Sequence, residues 1–297
     1  MTFPTPLLQT RMLGDMRIHA IQAGGQRLDG GAMFGVVPKV LWQRKIVPDD
    51  RNRIQMGMRC LLVEHPDGLV LLDTGAGNKE DQKFIDIYGM ELQADVPEQR
   101  ADETALEAGI RAAGFTPDDV TLVINTHLHF DHAGGNTRRE ADGSVVPTFR
   151  NATYVVQHGE YEWATHTNER TAASYFPPNF EPVKAAGRLQ LIDGDVEIVR
   201  GIRALKTPGH VPHHQSLVLE SNGCRACFLG DVIPTANHVP LAWIMGYDVE
   251  PLRTLESKRA LLRDAAAEDW LLVFEHDATS AWGTVAPDTK GYTYREG

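Results

Sequence analysis

"NTHLHFDHAGG", residues 125–135, places three histidines and one aspartate within six residues. The preceding "VTLVI" (120–124) is an apolar run typical of a buried strand. Carboxylates and imidazoles are costly to bury, so a strand that ends in them needs a partner that compensates for the lost water. Neutral imidazole and carboxylate are groups that bind divalent metals such as zinc. This stretch therefore predicts a metal site at the end of the strand.

Three later segments repeat the pattern. "ALKTPGH" ends at His210, "CFLGD" ends at Asp231 and "LLVFEH" ends at His276. Loops beyond the strand ends of layered α/β folds converge on one edge, so these residues are expected to meet. One metal takes three or four protein ligands, and a set of seven favours two metals that share a carboxylate. The predicted ligands are His127, His129, Asp131, His132, His210, Asp231 and His276.

The order of strands and helices predicts an α/β fold. Strands precede helices in both halves of the chain, and no linker rich in Pro, Gly or Ser separates the halves. We therefore expect a single four-layer αββα domain over residues 1–297. Residues 58–65 and 68–75 are two apolar runs joined by "PDG", which predicts a β-hairpin.

Two longer helices and a final strand are also predicted. Residues 102–115 have helical spacing, with Asp102 as the capping residue. Residues 250–269 predict a second helix, and "WLLVFEHD" predicts a last strand that ends at His276. The apolar side of the second helix is predicted to carry Leu252, Leu255, Leu262 and Ala266.

Residues 24–57 do not follow this regular pattern. The segment is rich in glycine, contains several bulky apolar residues and has no clear period. A long irregular segment of this kind is usually a functional loop. We expect residues 24–57 to form an irregular loop that contributes to a substrate pocket and to a homodimer interface.

The composition and the apolar patterning disfavour several functions. The net charge of −11 disfavours nucleic-acid binding. No segment approaches the ~20 apolar residues of a membrane span, and the N-terminus lacks a basic start followed by an apolar run. We therefore expect a cytoplasmic protein with a small-molecule substrate and with no nucleic-acid or membrane partner. "CRAC" (224–227) is interpreted as part of a hairpin strand, because one cysteine pair cannot complete a zinc site.

"THLHFDH" (126–132) resembles the signature of the metallo-β-lactamase superfamily, and "TPGHVPHHQS" and "LGD" resemble its next two motifs. The resemblance implies an αββα sandwich with two divalent metal ions at one edge. Zinc is expected, and manganese, iron or cobalt are also compatible with these ligands. The resemblance assigns His127, His129 and His210 to one metal, Asp131, His132 and His276 to the other, and Asp231 to a bridge between them.

A closer resemblance is to the quorum-quenching N-acyl-homoserine lactonases, particularly their YtnP-like branch. It rests on "DGGAMFGVVPKVLW", "GDVIPTANH", "LAWIMGYD" and "EHDA". The implied reaction is the opening of a lactone ring by a metal-bridging hydroxide, with Asp131 passing a proton to the leaving alkoxide. Many Bacillus-type lactonases have a tyrosine three residues after the bridging aspartate, whereas this chain has Pro234. His238, Trp243 and Tyr247 are candidates for the missing role.

Other residues are predicted to surround the metals. Asp73 and His214 are expected to support metal ligands, although Asp73 could equally serve a turn. Alternatives to a lactonase are a hydrolase of other esters, organophosphates or β-lactams, an iron oxidoreductase and an inactive metal-binding protein. The predicted substrate contacts are Met33, Phe34, Phe130, His238 and Trp243.

Overall fold

The computed structural model describes residues 6–92 and 103–297. Its strands are β1 (Leu8–Leu13), β2 (Met16–Asp29), β3 (Arg53–His65), β4 (Gly68–Leu72), β5 (Val120–Ile124), β6 (Thr137–Arg139), β7 (Val145–Pro147), β8 (Thr153–Gln157), β9 (Leu189–Ile192), β10 (Glu197–Val199), β11 (Ile202–Lys206), β12 (Gln215–Ser221), β13 (Cys224–Phe228), β14 (Leu271–Val273), β15 (Trp282–Asp288) and β16 (Gly291–Glu296). Its α-helices are α1 (Gly30–Phe34), α2 (Lys39–Trp42), α3 (Gln82–Tyr88), α4 (Ala105–Ala112), α5 (Phe130–Ala133), α6 (His158–Thr165), α7 (Glu181–Ala185) and α8 (Pro251–Ala267).

Two seven-stranded sheets form the framework. The first has the order β1-β2-β3-β4-β5-β8-β9, and the second runs from β10 to β16 in chain order. Strands β4, β5, β8 and β9 are parallel to one another, and β13 is parallel to β14. Parallel neighbours end at the same edge, so the loops after β5, β13 and β14 each leave a sheet at the carboxyl ends of its parallel strands.

The sheets face each other across an apolar core and carry helices outside. One buried cluster combines Ile18 and Leu61 of the first sheet with Leu217 and Phe228 of the second. Helix α4 packs on the outer face of the first sheet, and α8 packs on the outer face of the second. This order of helix, sheet, sheet and helix confirms the predicted four-layer αββα fold.

The short hairpins agree with the sequence pattern. Strands β3 and β4 pair antiparallel, with His65 opposite Gly68 at the "PDG" turn. Both "CRAC" cysteines lie in β13, which pairs antiparallel with β12; Cys224 is exposed and Cys227 is buried. The interpretation of "CRAC" as part of a hairpin strand is confirmed.

The prediction of an irregular loop over residues 24–57 is wrong at both ends. Strand β2 continues to Asp29 and pairs with the first residues of β3, after a register shift between Gln22 and Gly25. The glycines at that bulge hide the period of the strand in the sequence. Helices α1 and α2 occupy part of the middle. Their buried side chains Phe34 and Trp42 belong to a separate apolar cluster that also includes Met56.

Two helix predictions need correction. Helix α4 begins at Ala105, and its cap is Thr104, whose Oγ1 accepts a hydrogen bond from the Glu107 amide at 3.2 Å; the predicted cap Asp102 lies outside the described residues. Leu252 of α8 is 77% exposed rather than buried. The inner face of α8 contains Lys258 instead, because its ammonium group donates to backbone carbonyls of residues 240 and 243 at 2.8 Å.

The chain also continues the second sheet beyond the predicted last strand. Strand β14 ends at Val273, and β15 and β16 form an antiparallel hairpin after His276. Among the described residues, none of the helices combines the length and the apolarity needed to cross a bilayer.

Candidate metal centre

Four of the predicted ligands lie directly after β5. From Ile124 the chain passes through His127 to His129, which is the residue that precedes α5. Asp131 and His132 lie within α5, a helix of one turn. The apolar strand brings this loop to the sheet edge, and the short helix turns the aspartate and the third histidine relative to the first two.

The second sheet supplies the other three predicted ligands. His210 follows β11, Asp231 lies in a 3₁₀ turn after β13, and His276 follows β14. All three are nearly fully buried. Since β13 and β14 run parallel, the loops that carry Asp231 and His276 leave the sheet on the same side.

His127, His129 and His210 form one group of possible ligands. One nitrogen from each lies within 4.8 Å of the others. The Nδ1 atom of His129 is 3.1 Å from Nε2 of His210. Three convergent imidazoles at these separations can bind a single divalent ion.

Asp131, His132 and His276 form a second such group. The Nε2 atoms of His132 and His276 are 3.1 Å apart. Between the two groups lies Asp231, whose Oδ2 is 3.1 Å from Nε2 of His210 and whose Oδ1 is 3.0 Å from Nε2 of His276. The structure thus brings all seven predicted ligands together, and His127, His132 and Asp231 form a further group of possible ligands.

The unsatisfied polar atoms of this cluster fit bound metal. The buried Nε2 of His127 makes no hydrogen bond with any described residue. Burial, together with the neighbouring histidines, lowers the pKa of His127 and of His129 well below its usual range, so both imidazoles are neutral and can donate a lone pair to a metal. Burial opposes the charged form of His276, but the carboxylate of Asp231 outweighs it and raises the pKa of His276 to about 9.

Asp73 and His214 each contact a residue of the ligand cluster. Asp73 Oδ2 lies 3.0 Å from Nδ1 of His132, and its carboxylate accepts hydrogen bonds from the amide and hydroxyl of Thr126 at 2.7 and 2.6 Å. His214 Nε2 accepts the amide hydrogen of Asp231 at 3.0 Å. Its Nδ1 contacts the hydroxyl of Thr207 at 2.8 Å, so both nitrogens of His214 are occupied.

Three carboxylates that contribute to the site were missed in the sequence. Asp248 contacts Nδ1 of His210 at 3.0 Å, and Glu275 lies 3.0 Å from Nδ1 of His132. Glu160 in α6 is buried and accepts the amide hydrogen of Leu128, the residue between two ligands. The position of Glu275 directly before His276 was a usable signal, but Asp248 and Glu160 are distant in sequence from the groups they contact.

A cavity of about 400 Å³ opens onto the ligand cluster. Its lining includes the apolar side chains of Leu28, Met33, Phe130 and Met245, together with Asp131 and four other predicted ligands. A larger cleft of about 940 Å³ lies among the turns of the β1–β2, β3–β4 and β12–β13 hairpins and contains none of the predicted ligands. The smaller cavity is therefore the candidate substrate site.

Only two of the five predicted substrate contacts, Met33 and Phe130, line this cavity. Phe34, His238 and Trp243 do not line this cavity. The prediction that they contact substrate is therefore corrected. Phe34 stacks on His238 with ring centroids 4.7 Å apart and meets Trp243 edge-on at 5.5 Å. His238 Nε2 donates to the carbonyl of Met33 at 2.8 Å, so this imidazole holds the wall in place rather than facing a ligand.

Comparison with known proteins agrees with this geometry. Residues 59–276 match the model of the metallo-beta-lactamase superfamily. An N-acyl homoserine lactonase of a Bacillus species is 32% identical over 224 residues, which cover 73% of this chain and 80% of that protein.

Solved structures give the same result over nearly the whole chain. A probable metal-dependent hydrolase from Staphylococcus aureus is 29% identical, with a TM-score of 0.84 over 97% of this chain and 99% of that one. An N-acyl homoserine lactone hydrolase, solved with N-hexanoyl-L-homoserine at its catalytic metal centre, is 27% identical, with a TM-score of 0.64 over 90% of this chain and 94% of that one. The chain therefore belongs to the metallo-beta-lactamase superfamily, as a hydrolase related to the N-acyl homoserine lactonases.

Proposed function

We propose that this protein is a binuclear metal-dependent lactonase that opens N-acyl-homoserine lactones and thereby quenches quorum signals. One observation carries the proposal: five predicted ligands and several apolar side chains line the same cavity. A polar ring can lie against the metals while an acyl tail packs along Leu28, Met33 and Met245. Relatives named as N-acyl homoserine lactonases support this choice of substrate.

The ligand set favours two zinc ions. His127, His129 and His210 would hold one ion, and Asp131, His132 and His276 would hold the other, with Asp231 shared between them. Bound there, the metals would activate water and polarise the ester carbonyl. A site rich in imidazole is typical of zinc and of the other late first-row metals rather than of magnesium or calcium.

The chain's own groups orient the reaction. Asp131 lines the cavity, and Nε2 of Gln26 donates a hydrogen bond to its Oδ2. A carboxylate fixed in this way can accept a proton from the attacking water and pass it to the leaving alkoxide when the ring carbon–oxygen bond breaks. The product is a hydroxy acid, and no covalent bond to the protein is required.

A substrate panel tests the proposal. Metal-replete protein, with its metal content measured, would be assayed against N-acyl-homoserine lactones, an aryl ester, paraoxon and nitrocefin. We expect the acyl-homoserine lactones to give the highest kcat/KM. A higher kcat/KM on paraoxon or nitrocefin, or no lactone opening at full metal content, would overturn the assignment.

We also infer a homodimer. Four apolar side chains of the segment around α2 remain exposed, among them Val36 at 92% and Val47 at 85%. Val40 and Leu41 lie between them and are exposed as well. Contiguous exposed apolar side chains usually mark an interaction surface. Light scattering during size-exclusion chromatography should give twice the mass of one chain, and a monomer at micromolar concentration would contradict the inference.

A further inference from the structure

Two tyrosine hydroxyls of the cavity lack a protein partner. Tyr88 is the last residue of α3, Tyr247 follows Gly246, and both line the cavity that predicted ligands also line. Neither hydroxyl makes a hydrogen bond to any residue in the part of the chain that the structure describes. Tyr247 is 39% exposed and Tyr88 is half-buried, so a ligand in the cavity can reach both side chains. Both hydroxyls are therefore available to donate hydrogen bonds to a bound substrate.

The backbone that carries Tyr247 is held on both sides. The amide of Gly246 donates to the carbonyl of Ala32 at 2.8 Å, and the carbonyl of Gly246 accepts from Nη2 of Arg170 at 3.1 Å. The next residue, Asp248, contacts Nδ1 of His210 at 3.0 Å. The backbone at Tyr247 is therefore fixed relative to a predicted metal ligand before substrate binds.

Tyr88 is fixed by aromatic packing. Its ring lies 4.5 Å from that of Phe84 and 5.1 Å from that of Phe130, the residue before Asp131. Burial raises the pKa of Tyr88 and, together with nearby acidic groups, raises the pKa of Tyr247 to about 12. Both phenols consequently remain protonated at neutral pH and act as hydrogen-bond donors.

The chemistry of the substrate determines what these donors can bind. The carbonyl of the reacting ring is engaged at the ligand cluster, and an alkyl tail offers no acceptor. A lactone that carries an acylamino group has one further acceptor, the amide oxygen between ring and tail. We propose that Tyr88 and Tyr247 donate hydrogen bonds to this amide oxygen and so select acylamino lactones over alkyl lactones. This inference rests on the proposed lactonase function.

The test compares N-decanoyl-homoserine lactone with α-decyl-γ-butyrolactone, which carries an alkyl tail at the same ring carbon and lacks the amide. Tyr247→Phe and Tyr88→Phe each remove one hydroxyl and keep the ring. We expect each change to lower the ratio of kcat/KM for the amide lactone to that for the alkyl lactone about 5- to 10-fold, mainly through KM, as for one lost hydrogen bond. The double variant should lower the ratio further.

Tyr292→Phe is the matched control, because Tyr292 lies in β16 and does not line the cavity. Metal content and thermal unfolding would be measured for all variants. An unchanged ratio in both single variants, or an equal loss on the two lactones, would overturn the role of the tyrosines while leaving the lactonase function intact. If the wild-type protein opened neither lactone, the proposed function and this inference would fall together.

Discussion

The metal centre and the wall of the cavity are neighbouring regions that differ in how they are specified. Each predicted ligand is a histidine or aspartate in a loop that follows a strand, and its position follows from the strand that precedes it. The wall depends on which side chains of a short helix turn inward. Met33 and Phe34 are adjacent in α1, yet only Met33 reaches the cavity. A local pattern therefore determines the chemistry, and tertiary packing determines the substrate contacts.

The largest expected effect on activity comes from replacing Asp231, whose carboxylate lies between the two ligand groups. Asp231→Asn removes the charge that faces both His210 and His276. We expect loss of at least one metal and a fall in kcat/KM of about 10³-fold or more, as for loss of a metal cofactor's contribution. Metal analysis and lactone turnover measure both. Asp269→Asn, an exposed change outside the site, is the control; normal metal content in Asp231→Asn would contradict the bridging position.

Asp131 tests whether a residue of the cluster also acts on substrate. Asp131→Asn should lower kcat by about 10²- to 10³-fold, because the amide cannot pass a proton to the leaving alkoxide. A substrate with a better leaving group, such as an aryl ester, should lose less. Unchanged rate and metal content would show that Asp131 has neither role.

A smaller effect is expected at the two carboxylates that contact Nδ1 of a predicted ligand histidine. Asp248→Asn and Glu275→Gln should each weaken metal binding about 10- to 100-fold, since they contact the outer nitrogens of His210 and His132. Competition with a chelator would measure the affinity. If both variants kept wild-type affinity, these carboxylates would serve only the packing of the core.

The smallest expected catalytic effect distinguishes Met33 from Phe34, which are adjacent in α1. Met33→Ala enlarges the cavity and should shift the preference between long and short acyl chains about 5- to 10-fold. Phe34→Ala should change that preference less than about twofold, and instead lower the free energy of unfolding by about 3–5 kcal/mol. Denaturant unfolding and a chain-length series would check both. A larger shift in preference for Phe34→Ala would place it in the cavity wall after all.

These differences explain which residues of the candidate site could be predicted from the sequence and which could not. The convergence of His127, His210 and His276 was predictable because each follows a recognisable strand, and few residue types bind metals. Asp248 was not, since its contact with His210 depends on how the loop before α8 returns to the sheet edge. His238 was expected to face substrate, but the stacking of Phe34 and the carbonyl of Met33 turn it inward.

The coupling between metal binding and lactone opening tests the central claim most directly. Metal-free protein would be titrated with zinc while turnover of N-decanoyl-homoserine lactone is followed. We predict no turnover without metal and a plateau at two zinc ions per chain. Full turnover in the metal-free protein, a plateau at one ion, or no lactone opening at two ions would contradict a binuclear lactonase.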